Sequence, residues 1–320
     1  MTTEDDPRTS NLHDGAYAAM DRGDLEAASR LFDALIEQSP KRISYRYMAG
    51  LASKYLRDWP ASLRHNLDAI ALSEEMDEAA HWNAAIAATA QQDWATVRRL
   101  WAACGIQVPE GEGAIVHDYG LAVARLHPWS GGETVWIRRI DPVRGRLLNV
   151  PLPESGHRFG DIVLHDGAAT GHRRSEGRDY PVFNALERTI PSEFSTYVVF
   201  VRCGEEADID ALREARAPGL GYLEDWTSSM VNYCMRCSYG TPHRDAHAHD
   251  GEHGDGRAEG WQQERTLGIA AQSRQTVDRL LDAWLRGGDE REVDAIESRE
   301  CDVPAQQSGH VWWRGPDDEE

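Results

Sequence analysis

A short turn followed by aspartate recurs three times near the start of this chain, at Gly23-Asp24, Arg57-Asp58 and Gln92-Asp93, with spacings of 34 and 35 residues. After each turn comes a small or modest residue (Ala28, Ser62, Val97), then a larger one (Phe32, Asn66, Trp101), then Leu35, Ala69 and Cys104. Before each turn sits a small pair: Gly15-Ala16, Ala49-Gly50 and Ala84-Ala85. Two copies close on a proline, Pro40 and Pro109. A period of this length leaves little choice of architecture. One helix pair buries only part of its apolar face, so successive pairs must stack to complete a core.

The register continues onto Tyr119-Gly120 and predicts a last helix over 114–126, with Ile115, Val116, Tyr119, Ala122, Val123 and Leu126 on one stripe. The pattern resembles the tetratricopeptide repeat family over roughly the first 127 residues. It departs from that family in the second copy, where Asn66 replaces an aromatic and Glu74 the closing proline. The expected layout is a tail over 1–11 and a helical solenoid over 12–127.

Beyond His127-Pro128-Trp129 the character changes. Segments 133–140, 146–150, 161–164 and 180–183 read as short strands, a small antiparallel β domain over 133–190. Two β-α-β patterns follow. The first runs from the strand 196–202 through the helix 208–216 to the strand 221–226. In the second, the strand 265–271 leads into a helix capped by Ser273 and then the strand 292–297. Tandem β-α-β units predict a ferredoxin-like region over 195–303, interrupted by a Cys/His-rich insertion at 234–260. The end, 304–320, reads as an acidic tail, with Trp312-Trp313 either a docking element or packed on the sheet.

Charge narrows the partners. The chain carries 54 acidic and 34 basic residues, a net charge of −20, and its only lysines are Lys41 and Lys54. Such an excess repels phosphate backbones and argues against nucleic acid, while a cationic partner is attracted. No apolar run approaches the ~20 residues that span a bilayer. The acidic start Met1-Thr2-Thr3-Glu4-Asp5-Asp6 is the opposite of a secretory signal. Five cysteines, an odd number, do not suggest a disulfide framework. These features predict a cytoplasmic protein, and arginine- and alanine-rich usage points to a bacterial one.

One constellation could carry metal chemistry. Cys234, Cys237, His243 and His247 span 14 residues, compact enough to close around a structural zinc ion, with His249 and His253 as competitors for the fourth position. A mobile His-rich loop, a packed cysteine or a redox pair are the other readings. A redox pair should open a helix, whereas Cys237 runs into Ser-Tyr-Gly-Thr-Pro. Catalytic motifs such as Gly-x-Ser-x-Gly and His-Glu-x-x-His do not occur. A Ser155/His157/Asp161 grouping is explained as well by turn chemistry.

The tetratricopeptide resemblance implies that the first helix of each pair lines a concave face. It would be built from His13, Tyr17 and Met20, then Tyr47, Leu51 and Lys54, then Trp82, Ile86 and Thr89. Aromatics there suit an extended or helical peptide; the alternative is that Tyr47 and Trp82 pack on the downstream domain. The Lys/Asn set with which some family members grip a terminal carboxylate is matched only at Asn83. The expectation is a protein-binding adaptor with a zinc staple. The alternatives are an immunity-type inhibitor of a cationic toxin and a metal-dependent enzyme with its site in 133–260.

Overall fold

The computed structural model of the chain describes residues 7–241 and 261–315. Six helices come first: α1 (Pro7–Asp21), α2 (Leu25–Gln38), α3 (Ile43–Leu56), α4 (Trp59–Leu72), α5 (Glu78–Ala90) and α6 (Trp94–Ala103). They form a helical repeat, and the recurring turn is its joint. Gly23, Arg57 and Gln92 all take left-handed backbone, with φ of 75°, 61° and 59°. The aspartate after each caps the next helix, accepting from the N–H of Ala27, Ala61 and Thr96 at 3.1 Å each. Its own N–H closes onto the preceding helix at Ala19, Ser53 and Ala88.

Asn66 has a packing reason. A Cβ on Gly50 would lie 2.4 Å from Asn66 Nδ2, so α3 and α4 cross too closely for an aromatic ring. Asn66 instead bonds the Ser62 carbonyl at 2.8 Å, and Ser62 Oγ bonds that of Gly50 at 2.9 Å. Phe32 and Trp101 fill the same position, fully buried, in the other two pairs.

The run of repeat helices ends at Ala103. The helix expected over 114–126 is absent: 107–120 is irregular, and Leu121–Leu126 is β1, first strand of a closed barrel. Gly120, at φ 85°, breaks the helical register. From Ala122 to Leu126 every side chain is buried, because one face fills the barrel and the other is covered, which erases the period-2 signal. The barrel continues with β2 (Glu133–Arg139), β3 (Arg144–Leu147), β4 (Ile162–Ser175) and β5 (Arg178–Ile190). Neighbours pair antiparallel until β5 closes on β1 in parallel.

A second sheet holds β6 (Ser195–Arg202), β7 (Leu220–Asp225), β8 (Glu264–Ala271) and β9 (Glu292–Ser298) in the order β7-β8-β6-β9, every pairing antiparallel. Helix α7 (Glu206–Glu214) connects β6 to β7. The one-turn helices α8 (Trp226–Ser229) and α9 (Met235–Ser238) follow β7, and α10 (Arg274–Leu285) connects β8 to β9. Ser273 caps α10, whose Val277, Leu280, Leu281 and Trp284 join Ile209 and Leu212 of α7 in this sheet's core. Barrel and solenoid share a larger core, which holds Trp101, Trp129, Leu164 and Trp312 together.

Residues 304–315 are not a free tail. Trp312 is wholly buried, edge-on to Tyr55 and Trp129 at 5.3 and 5.5 Å, and Trp313 stacks on Tyr55 at 4.8 Å. The Trp312 carbonyl accepts from Tyr239 Oη at 2.8 Å and Asn184 Nδ2 at 3.0 Å. Gly309 donates to the Gly23 carbonyl at 3.0 Å. The Trp312-Trp313 pair packs not on the sheet alone but between solenoid, barrel and the α9 segment. Replacing Trp312 by alanine is expected to remove about 3–5 kcal/mol of stability, read from urea unfolding; a loss under about 1 kcal/mol would mean the segment is only laid against the surface.

Candidate functional site

The chain itself covers part of the residues expected on the inner face of α1, α3 and α5. Met20 and Ile86 are core, 6% and 0% exposed. Lys54 is 3% exposed, and its ammonium bonds Asn83 Oδ1 at 2.9 Å and both Asp166 oxygens at 2.9 and 3.1 Å. Asp166 lies on β4 with its carboxylate also accepting from Gly167 N at 2.7 Å. A Cβ on Gly167 would come within 2.5 Å of Trp82, whose indole stands edge-on to Trp101 at 4.7 Å. Burial and the Asp166 charge push the Tyr55 phenol well above its usual range. The barrel's β4 segment and the Trp312-Trp313 segment thus occupy one end of the inner face.

The cover is incomplete, although Tyr47 borders the junction through a hydrogen bond with Asn83. His13, Tyr17, Tyr47 and Leu51 are half-buried. His13 and Tyr17 pack at 4.6 Å, and His13 Nδ1 meets Tyr45 Oη at 3.2 Å. Burial raises both the Tyr17 and Tyr47 phenols.

Cys234 and Cys237 come together. Cys234 caps α9, so this CxxC does open a helix, contrary to the expectation; the helix lasts one turn because Gly240, at φ 77°, ends it. The Cys237 thiol is pushed up to about 11 by burial and by its hydrogen bond with Cys234. An attacking redox thiol needs the opposite shift. His243 and His247, with His249 and His253, lie outside the described residues. Among the described residues, no three His, Cys, Asp or Glu side chains converge to hold a metal ion.

Ser155, His157 and Asp161 do not form a relay. Ser155 Oγ accepts from His157 N at 3.1 Å, and His157 Nδ1 donates to the Ser155 carbonyl at 2.9 Å. The Asp161 carboxylate is taken by the N–H groups of Ser192 and Arg158, at 2.6 and 2.9 Å. The residues are turn chemistry.

Two hollows at the domain junctions hold titratable groups that, His157 apart, the sequence did not single out. The larger, about 850 Å³, opens between β2, β7 and the segment 229–233. Glu133 lines it and accepts from Leu152 N at 3.1 Å. Glu224 lines it too, accepting from Val150 N at 2.9 Å and Asn149 Nδ2 at 3.0 Å. Burial, helped by the Glu224 and Glu154 charges, raises the Glu133 carboxyl to about 8. A carboxyl that keeps its proton near neutrality can serve as a general acid. The smaller hollow, about 230 Å³, lies where the α3–α4 turn, the barrel and Val303 meet, with His127 and His157 in its wall. No local motif marks either, since each is assembled from residues far apart in sequence.

No family model matches the chain, and no curated protein matches it. Among solved structures, a mutant of the Thermobaculum terrenum O-GlcNAc transferase is similar at 21% identity and a TM-score of 0.28, over 33% of this chain. The match spans 19% of that protein's length. A likeness of that size carries no conclusion about function. Among the described residues, no helix is long and apolar enough to cross a membrane.

Proposed function

We propose that this chain is a protein-interaction module of the tetratricopeptide type, taking an extended basic segment of a partner on the uncovered part of its inner helical face. The observation that carries the reading is the half-buried aromatic set His13, Tyr17 and Tyr47, presented by successive inner helices on a chain of net charge −20. Lys54 and Trp82 act on this reading as the floor of the groove, since both are tied to the barrel. The second sheet would serve as a ferredoxin-like support, a reading supported by its strand order and by β6 and β7 flanking β8. A zinc staple at Cys234, Cys237, His243 and His247 belongs to the same proposal, supported by the contact between the two thiols.

The test is affinity capture from the native cell, wild type beside Tyr17→Ala/Tyr47→Ala. A dominant partner that disappears in the double variant is the expected result. Full retention of that partner would remove the inner face from consideration. Glu133 in its cleft then favours the second reading, an enzyme with its site at the barrel mouth.

A further inference from the structure

The smaller hollow collects cationic and histidine groups whose donors are only partly used. Arg57, from the α3–α4 turn, lines it and lies 4.5 Å over the Trp129 ring. Its guanidinium makes no hydrogen bond to any described residue, although five N–H groups are available. His157 is 5% exposed; its Nδ1 is spent on the Ser155 carbonyl, and its Nε2 meets no described partner. His127 is 8% exposed and its Nδ1 is likewise unpartnered among the described residues. Arg188 enters from β5, using one nitrogen on the Gly156 carbonyl at 2.7 Å and on Asp161 at 3.4 Å.

The acids around the hollow are otherwise engaged. Asp161 accepts from two backbone N–H groups, and Glu187, on the exposed rim of the hollow, accepts from Trp59 Nε1 while its charge also acts on Arg57. Asp302, beside Val303, is exposed. Two guanidiniums and two histidines therefore converge from the solenoid, the barrel and the 155–157 turn on a space of about 230 Å³. That is below the ~300 Å³ of an ordinary organic-ligand pocket and suits an ion.

We propose that this hollow binds a small oxyanion, phosphate or a short carboxylate, gripped by Arg57 and Arg188 with the His157 Nε2 as third partner. Guanidinium forks match the paired oxygens of either anion, and charge-assisted bonds of this kind are about twice as strong as neutral ones. The stacking on Trp129 holds the Arg57 fork in place without using its donors. In the free pocket both histidines are neutral, His127 held at about 4 and His157 also lowered, in each case chiefly by burial. Arg125 and Arg188 add to that depression, and Asp161 opposes it at His157. An anion against His157 Nε2 reverses the balance and recruits a proton there. General attraction is no alternative explanation, because a net charge of −20 repels anions.

The experiment is calorimetric titration of the full chain with phosphate, sulfate and acetate at constant ionic strength, chloride being the control. The expected result is saturable binding of at least one of them. Phosphate and acetate affinities identify the source, and either one satisfies the proposal. Arg57→Gln should weaken binding at least tenfold, with Arg57→Lys recovering part of it. Sulfate keeps its charge, so it should bind tighter at about pH 6 than at about pH 8, with proton uptake from the buffer. Should Arg57→Gln fold poorly, His157→Gln provides the same comparison. No saturable heat beyond chloride, or unchanged affinity in the folded variant, overturns the proposal.

Discussion

Asp166→Ala should cost this protein about 3–5 kcal/mol, far more than the loss of the carboxylate's own hydrogen bonds suggests. The reason is the partner left behind. Lys54 is 3% exposed, and without Asp166 its ammonium keeps the Asn83 carbonyl oxygen and the face of the Tyr55 ring, with no counter-charge in the junction. Lys54→Met leaves the Asp166 carboxylate, which still accepts from Gly167 N, so this variant should lose less. The double change Lys54→Met/Asp166→Asn should be milder than Asp166→Ala alone, since no unpaired charge remains buried. Urea unfolding of these variants, with Asp166→Asn alone added to close the cycle, gives the coupling energy. If Asp166→Ala costs under about 1 kcal/mol, the junction is wet and the pair contributes little.

In the Glu133→Gln variant, lowering the pH from about 7 to about 5 should remove about 3–4 kcal/mol of stability, while the native chain loses only about 2 kcal/mol. Two opposed linkages produce this difference. His127 and His165 are held at about 4 by burial, against an ordinary value near 6.5. Below about 6.5 the unfolded chain takes up protons that the folded chain refuses, so folding weakens as pH falls; each shift amounts to about 2 kcal/mol by pH 5. Glu133 works the other way. Raised to about 8, it keeps its proton in the folded state where the unfolded carboxyl has lost it, so folding weakens as pH rises from about 4.5 to 8. Removing that carboxyl exposes the histidine slope and should stabilise the chain at neutral pH by about 2 kcal/mol, less than the full shift implies because the cleft is open to solvent. Denaturant unfolding at both pH values decides it. Parallel profiles for the two chains would mean that Glu133 titrates normally.

The helical repeat was legible because its signal is local. Each turn needs a left-handed residue and a capping aspartate within two positions, and the small pairs fix the crossings. The second sheet was legible for the same reason: Ser273 and the Val277–Trp284 stripe declare α10 without knowledge of its neighbours. β1 was not legible. A strand buried on both faces has no alternation, and Ile115, Tyr119, Ala122 and Leu126 happened to fall at helical spacing. The inner-face residues were named from register alone, which says which way a side chain points but not what arrives to cover it. Asp166 and Trp312 arrive from 112 and 257 positions beyond Lys54 and Tyr55, and no local pattern announces either. The junction hollows were invisible for that reason as well, since Arg57, His127, His157 and Arg188 share no spacing.

The placement of Trp312 also sets a schedule for synthesis. Tyr55 is made 257 residues before the indole that covers it. At about 5–20 residues per second, the first-made helices spend roughly 13–50 s with that apolar end uncovered. Through that interval the nascent solenoid exposes to the cell the surface that the finished protein seals, and a ribosome-associated holdase would find its target there.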